Sequence, residues 1–144
     1  MNKTFRGLIA DNKIERVRLS TNDGLTGYKI SKFQILQQNP GNDTVECLIQ
    51  VNTIEPAAAS TEVNFDDPTL IAVAYYEDAG GSSGSGNPNI VINDSMVFNQ
   101  DIFVSYKEIS GSGTACNYYL ELEQVKLDLN EATVATLKDM RGRE

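Results

Sequence analysis

Apolar residues fall at every second position along much of the chain, and clusters of Gly, Asn, Asp and Pro separate these runs. Such alternation places successive side chains on opposite faces of a β-strand, so each run predicts a strand with one buried face. The clusters between the runs predict reversals of the chain. The predicted strands are residues 13–20, 28–36, 44–52, 63–65, 69–77, 89–93, 95–109 and 115–129.

This order of elements indicates an all-β protein: an antiparallel β-sandwich or jelly roll of about eight strands with one short C-terminal helix. The 144 residues correspond to a single domain, residues 1–144, large enough to bury its own core. We expect the first three predicted strands to form a meander. The last two, joined by a short Gly- and Ser-rich segment, are expected to form a wide hairpin.

Two predicted strands change phase partway along. Apolar positions move from Tyr28 and Ile30 to Phe33 and Ile35, which predicts a β-bulge near Ser31-Lys32 or burial on both faces. In the last strand the same shift occurs near residues 123–124. That strand is therefore expected to pass from one packing environment into another.

The chain changes to helical spacing at residues 130–141. Asp128 and Glu131 are spaced as a capping box, and Gly142 stands where a left-handed C-terminal cap is common. The apolar stripe of this helix consists of Val134, Leu137 and Met140. These three residues are candidate interface residues, because the stripe packs either on the chain's own sheet or on a neighbouring subunit.

Charge is unevenly distributed along the sequence, whose net charge is −8. Residues 1–32 contain seven basic and three acidic residues, a net charge of +4, whereas residues 33–106 contain ten acidic residues and no Lys or Arg. The candidate interface residues of the basic segment are Lys3, Arg6, Arg16 and Arg18. Folding either interleaves the two segments on one mixed surface, or the basic segment of one copy meets the acidic middle of another. An acidic total argues against a general nucleic-acid partner.

The composition also limits the chemistry. With no His in the chain, Ser-His and Cys-His nucleophiles and His metal ligands are excluded. Glu121 and Glu123 share one strand face, as a glycosidase pair can, but a solvated sheet surface explains them better; Asp66-Asp67 is the other acidic pair. Loops rich in Asp and Asn offer oxygen ligands for Ca²⁺ but lack EF-hand spacing. We expect no catalytic residue, cofactor or metal.

The two cysteines, Cys47 and Cys116, fall at inward positions of predicted strands. They are interpreted as buried reduced thiols, with a disulfide as the alternative in an oxidising compartment. The N-terminal residues contain no apolar signal core, and the longest apolar run, residues 70–76, is too short to cross a bilayer. No membrane partner is expected. Residues 78–89, rich in Gly and Ser, predict an exposed loop.

Three segments carry a resemblance: RGLIADNKIERVRLSTNDGLTGYKISKFQI, LIAVAYYED, and FNQDIFVSY together with CNYYLELEQVKLDLNEATVATLKDMR. Together they resemble small all-β structural proteins of tailed bacteriophages that infect marine cyanobacteria and other marine bacteria. The resemblance spans nearly the full chain and is densest in the last forty residues. It implies a virion component synthesised in the host cytoplasm, and it supplies no catalytic residues to carry over.

From these observations we expect a non-enzymatic virion structural protein, a capsid decoration or cement protein bound in many copies to the particle lattice. The expected partners are other virion proteins, such as the major capsid protein or tail and neck proteins, and further copies of the chain in a homo-oligomer. Two alternatives remain: a neck or tail component, and a receptor- or carbohydrate-binding module that uses the 78–89 loop and outward tyrosines. A small glycan hydrolase would depend on the acidic pairs.

Overall fold

A computed structural model describes residues 2–19, 24–40, 44–78 and 89–141, with the side chains of the terminal helix described through Leu137. This part of the chain forms eight β-strands and one α-helix. The elements are β1 (Asn2–Ile9), β2 (Ile14–Val17), β3 (Thr26–Gln37), β4 (Val45–Asn52), β5 (Leu70–Asp78), β6 (Asn89–Ile92), β7 (Ile102–Glu108), β8 (Cys116–Lys126) and α1 (Leu129–Arg141).

The strands form two antiparallel sheets. One sheet has three strands in the order β1-β8-β3, and the other has five in the order β2-β7-β4-β5-β6. Their inward faces share one continuous apolar core, so the molecule is a β-sandwich with a short C-terminal helix, as the sequence predicted. Its largest fully buried side chains include Tyr28, Phe33, Leu120 and Leu122 from the three-stranded sheet and Ile49, Ile102 and Tyr106 from the five-stranded sheet.

The pairing of the strands differs from the prediction. Strands β2, β3 and β4 do not form a meander, because β2 and β4 belong to the five-stranded sheet and β3 to the three-stranded sheet. Strands β7 and β8 likewise lie in different sheets and do not form a hairpin. Turn residues indicate where the chain reverses, but both sheets present an apolar inner face. The pattern therefore does not distinguish pairing from crossing to the other sheet.

The structure corrects the prediction at two individual strands. Residues 2–9 form β1, which was not predicted, and the predicted strand at Val63 and Phe65 is an irregular loop with both side chains exposed. The predicted strand 95–109 is also shorter than expected. It begins at Ile102, and Phe98 contributes only an isolated bridge to Tyr28.

Both phase changes correspond to real features. The register of β3 against β8 shifts between Ile30 and Lys32, which is the predicted bulge. Near the end of β8, Val125 contributes to a second, small apolar cluster that contains Leu127 and part of α1. The strand therefore leaves the sandwich core and enters the packing surface of the helix, as its shift of phase predicted.

The connection between β4 and β5, residues 53–69, lies over the outer face of the five-stranded sheet. The Gln50 side chain donates hydrogen bonds to the carbonyl oxygens of Ser60 (3.3 Å) and Glu62 (3.0 Å). Asn52 donates to the hydroxyl of Thr69 at 3.3 Å. The outer face of the five-stranded sheet therefore carries polar residues although the loop covers it, because these buried amide side chains are hydrogen-bonded to the loop.

Candidate interaction surfaces

The structure separates the four basic candidate residues. Lys3 and Arg6 lie on β1 in the three-stranded sheet, whereas Arg16 lies on β2 and Arg18 follows β2 at the five-stranded sheet. The ammonium of Lys3 lies 5.6 Å from the centroid of the Tyr28 ring. The basic segment therefore does not form one patch on a single face of the sandwich.

Arg16 has a structural role. Its guanidinium bonds the carboxylate of Asp101, with Nε at 2.6 Å and Nη2 at 2.5 Å from Oδ2. The other oxygen of the buried Asp101 accepts the backbone N–H of Leu19 at 2.7 Å. These charge-assisted hydrogen bonds fasten the end of β2 to the chain just before β7.

The terminal helix packs on its own chain through small residues. Ala132 and Ala135 are buried against Leu127 and its apolar neighbours at the end of β8. The capping box is present, since the N–H of Glu131 donates to the Asp128 carboxylate at 2.7 Å and Asp128 N–H donates back at 3.3 Å. These hydrogen bonds lower the pKa of Asp128.

Asn99 connects the helix to the sandwich. Its fully buried amide donates to the carbonyl of Gly24 (3.0 Å), the hydroxyl of Thr136 (2.9 Å) and the carbonyl of Ala132 (3.3 Å). One buried side chain thus holds a loop and two residues of α1. The helix is therefore fixed in position before any partner binds.

Two residues of the predicted apolar stripe of α1 remain about half exposed. Val134 is 52% exposed and Leu137 is 47% exposed, while the side chain of Met140 lies outside the described residues. A groove of about 700 Å³ runs beside the helix. Its apolar lining consists of Pro68, Met96, Val97, Val125, Leu127, Val134 and Ala135. We call this region the helix surface.

A second groove, of about 740 Å³, lies on the outer face of the three-stranded sheet. Cross-strand register places Arg6, Tyr119 and Gln34 in one row and Leu8, Asn117 and Leu36 in the next. Leu8 is 46% exposed and Leu36 is 50% exposed, and Ile90 of β6 lines the same groove. We call this region the sheet groove.

A turn on the covering loop presents an exposed aromatic side chain. The N–H of Asp67 donates to the carbonyl of Asn64 at 3.1 Å, and the N–H of Asp66 donates to the Asn64 side chain at 3.0 Å. Phe65 lies within this turn and is 68% exposed. The strand predicted for Phe65 is absent, and neither Leu8 nor Leu36 is among the candidate interface residues that the sequence indicates. The alternating exposed residues Thr4, Arg6 and Leu8 were the available signal for β1.

The acidic pairs form ordinary surface contacts. Glu121 accepts hydrogen bonds from the Asn2 amide at 3.2 Å and the Tyr119 hydroxyl at 3.1 Å. Glu123 lies 3.6 Å from the ammonium of Lys29. Asp67 accepts two hydrogen bonds from Thr69, from its N–H at 2.9 Å and its hydroxyl at 2.8 Å. These contacts assign the carboxylates local structural roles.

Glu108 is a buried carboxylate with a strongly lowered pKa. It is buried at the end of β7 and accepts hydrogen bonds from the N–H groups of Gly111 (2.7 Å), Ser112 (2.8 Å) and Glu46 (2.8 Å) and from the Ser110 hydroxyl (2.6 Å). Burial by itself would raise the pKa of Glu108, but the hydrogen bonds lower it from 4.5 to about 2. The carboxylate organises the loop that carries the chain between the two sheets.

Tyr118 and Tyr119 are neighbours on β8 and lie on opposite faces of the sheet. Tyr118 points into the core, where burial first and then its hydrogen bond to Glu15 (2.8 Å) raise its pKa, and Tyr119 lies on the outer face. The ammonium of Lys32 lies 5.8 Å from the centroid of the Tyr119 ring. Most of the predicted 78–89 loop, residues 79–88, lies outside the described residues.

Cys47 and Cys116 are free and fully buried. Their side chains face each other from opposite sheets, and the Cys47 sulfur lies 3.4 Å from the Tyr106 hydroxyl. Hydrogen bonding between the thiols, followed by burial, raises the pKa of Cys116. Both thiols therefore belong to the sandwich core.

Within residues 2–19, 24–40, 44–78 and 89–141, no three His, Cys, Asp or Glu side chains are grouped closely enough to hold a metal ion. Nor does any helix in those ranges have the length and apolar character needed to span a bilayer. Comparisons with protein-family models, with curated proteins and with solved structures found no match to this chain. Functional inference therefore depends on the surfaces described above.

Proposed function

We propose that the protein is a non-enzymatic virion structural component, a capsid decoration protein that binds a particle lattice in many copies. The supporting observation is the helix surface. Val134 and Leu137 project outward from a helix that is already capped and fastened by Asn99, next to an apolar groove. Apolar side chains on a preorganised element favour binding of another protein, since little conformational entropy is lost on docking.

The geometry of α1 explains why this surface stays exposed. The helix contacts the sandwich through two alanines, Ala132 and Ala135, which are buried against Leu127 and its apolar neighbours. The alanines therefore occupy the packed side of α1, and the larger Val134 and Leu137 remain about half exposed. A rigid surface with larger apolar residues on its outer side has the character of an interface core.

A binding experiment tests the proposal. The purified chain is mixed with tailed-phage particles assembled without it, and the fraction that sediments with the particles is measured. We expect saturable binding for wild type and a loss of about tenfold or more in affinity for Val134→Lys, because a lysine would be desolvated in an apolar contact. Thr133→Lys is the matched control, since it adds the same charge on the same helix outside the groove.

Equal binding of Val134→Lys and wild type would assign the contact to another surface. Failure of wild type to sediment with any such particle would remove the proposed role. Circular dichroism of both variants checks that the helix is intact, which their exposed positions lead us to expect.

Tyr119 favours a second candidate, a carbohydrate-binding module. An outward aromatic ring beside Arg6 and Gln34 is a combination that can stack on and hydrogen-bond a sugar. The Lys32 ammonium lies over this ring, so a sugar would have to displace it. Glycan-array binding that is lost in Tyr119→Ala would support this candidate over the first.

A further inference from the structure

Apart from the helix surface, the structure exposes two apolar features that are complementary to each other: the sheet groove and the side chain of Phe65. The sheet groove exposes Leu8 and Leu36 next to the cationic side chain of Arg6. The loop that covers the five-stranded sheet exposes Phe65 directly before two acidic residues, Asp66 and Asp67. One feature is an apolar concavity beside a positive charge, and the other is an aromatic projection beside negative charges.

These features lie on opposite sides of the sandwich. The sheet groove is on the outer face of the three-stranded sheet, and residues 53–69 cover the outer face of the five-stranded sheet through Gln50. One molecule therefore cannot place its own Phe65 in its own groove. The complementary occupant is a second copy of the chain.

We propose that Phe65 of one copy inserts into the sheet groove of the next, with Asp66 meeting Arg6. The turn at Asn64 holds Phe65 in position through two hydrogen bonds, so the aromatic group is presented without ordering a flexible segment. A buried aromatic anchor flanked by an ion pair is a common arrangement at the centre of protein interfaces. The contact joins two different surfaces, so it is heterologous and repeats along a ring or an open array.

This contact deepens the proposed many-copy role and rests on it, but it is measured on the isolated protein. Loss of particle binding and loss of self-association are therefore separate results. The experiment uses two single variants, Phe65→Ser, which keeps an intact groove, and Leu36→Lys, which keeps an intact Phe65. Both residues are well exposed, so both variants are expected to fold, and thermal melts check this.

Sedimentation velocity provides the assay. We expect wild type to self-associate with rising concentration and each variant to stay monomeric over the same range. An equimolar mixture of the two variants is expected to form a 1:1 dimer, because one intact Phe65 meets one intact groove and the chain of contacts ends there. Leu129→Ser is the control, since it removes another exposed apolar side chain from α1 and should leave association unchanged.

A charge swap tests the ion pair. Arg6→Glu should weaken wild-type association about tenfold or more, and Asp66→Arg in the same chain should restore part of it. Higher salt should weaken the wild-type contact, because these charges are exposed before association. A wild type that stays monomeric at every concentration, a Phe65→Ser variant that associates normally, or a variant mixture without dimer would each overturn the inference.

Discussion

Replacing Glu108 by Gln tests how the loop between the two sheets is held. The two carboxylate oxygens accept hydrogen bonds from several donors, most of them backbone N–H groups. Glutamine keeps the shape of the side chain. It replaces one acceptor oxygen with an NH₂ group, which would face donors instead of acceptors.

The pKa gives the expected magnitude. Its fall from 4.5 to about 2 corresponds to a difference of about 3 kcal/mol between the charged and protonated forms in the fold. In Glu108→Gln the glutamine NH₂ group would also face backbone N–H donors, which adds a further cost. The expected loss in unfolding free energy is therefore about 3–5 kcal/mol at neutral pH. For a chain of this length, a loss of that size lowers the melting temperature by roughly 10 °C or more.

The pH dependence has a defined sign. A lowered pKa means that the wild type holds this stabilisation above the unfolded-state pKa of about 4.5 and loses it as pH falls toward 2. The difference in unfolding free energy between wild type and Glu108→Gln should therefore be constant from pH 7 to about pH 5 and should be smaller at pH 3. Urea unfolding at each pH provides the measurement.

Glu121→Gln is the matched control, because Glu121 lies on the solvent-facing side of β8. This substitution should lower the unfolding free energy by less than about 1 kcal/mol. A Glu108→Gln variant within about 1 kcal/mol of wild type at pH 7 would refute the reasoning. So would a difference between the two proteins that does not change between pH 7 and pH 3.

Further predictions concern the helix and the thiols. Asn99→Ala should lower the unfolding free energy by about 2 kcal/mol and speed amide exchange in α1, because the hydrogen bonds that join Gly24 and Thr136 to Asn99 are lost; unchanged exchange would contradict this. Cys47 and Cys116 should react with a thiol reagent only when the protein unfolds, since both are fully buried. Reaction in native buffer at the rate of an exposed thiol would show that the core opens.

Local features of this fold could be predicted from the sequence. The bulge in β3, the capping box at Asp128 and the inward positions of Cys47 and Cys116 each depend on a few adjacent residues. Hydrophobic periodicity and turn chemistry are local signals, so they identify these features well. The partners of β2, β3 and β4 depend on residues far away in sequence, and no local pattern encodes them.

The missed strand and the misplaced one have specific causes. In β1, Gly7 occupies an inward position, where the ring of Tyr118 lies 3.3 Å from the place a Cβ would take. The apolar alternation of β1 is broken there because a neighbouring side chain fills the space. Val63 and Phe65 do alternate, but the Gln50 amide binds the backbone nearby and holds it as a loop.

Local sequence patterns also could not predict how the candidate interface residues are arranged in the fold. The sequence predicts the stripe of Val134 and Leu137, but the side of the helix that faces the sandwich is set by Asn99 and Leu127, which lie outside α1. The sheet groove brings together residues from four strands that lie far apart in sequence. Only the folded chain places Arg6 and Leu36 in the same groove.

The most direct test of the proposed role is a cryo-electron microscopy reconstruction of particles assembled without the chain and then incubated with it. The account predicts density for the sandwich at repeated lattice sites, with the Val134 side of α1 facing the shell. Particles without added density at saturating protein concentration, or density with α1 facing solvent at every site, would contradict it.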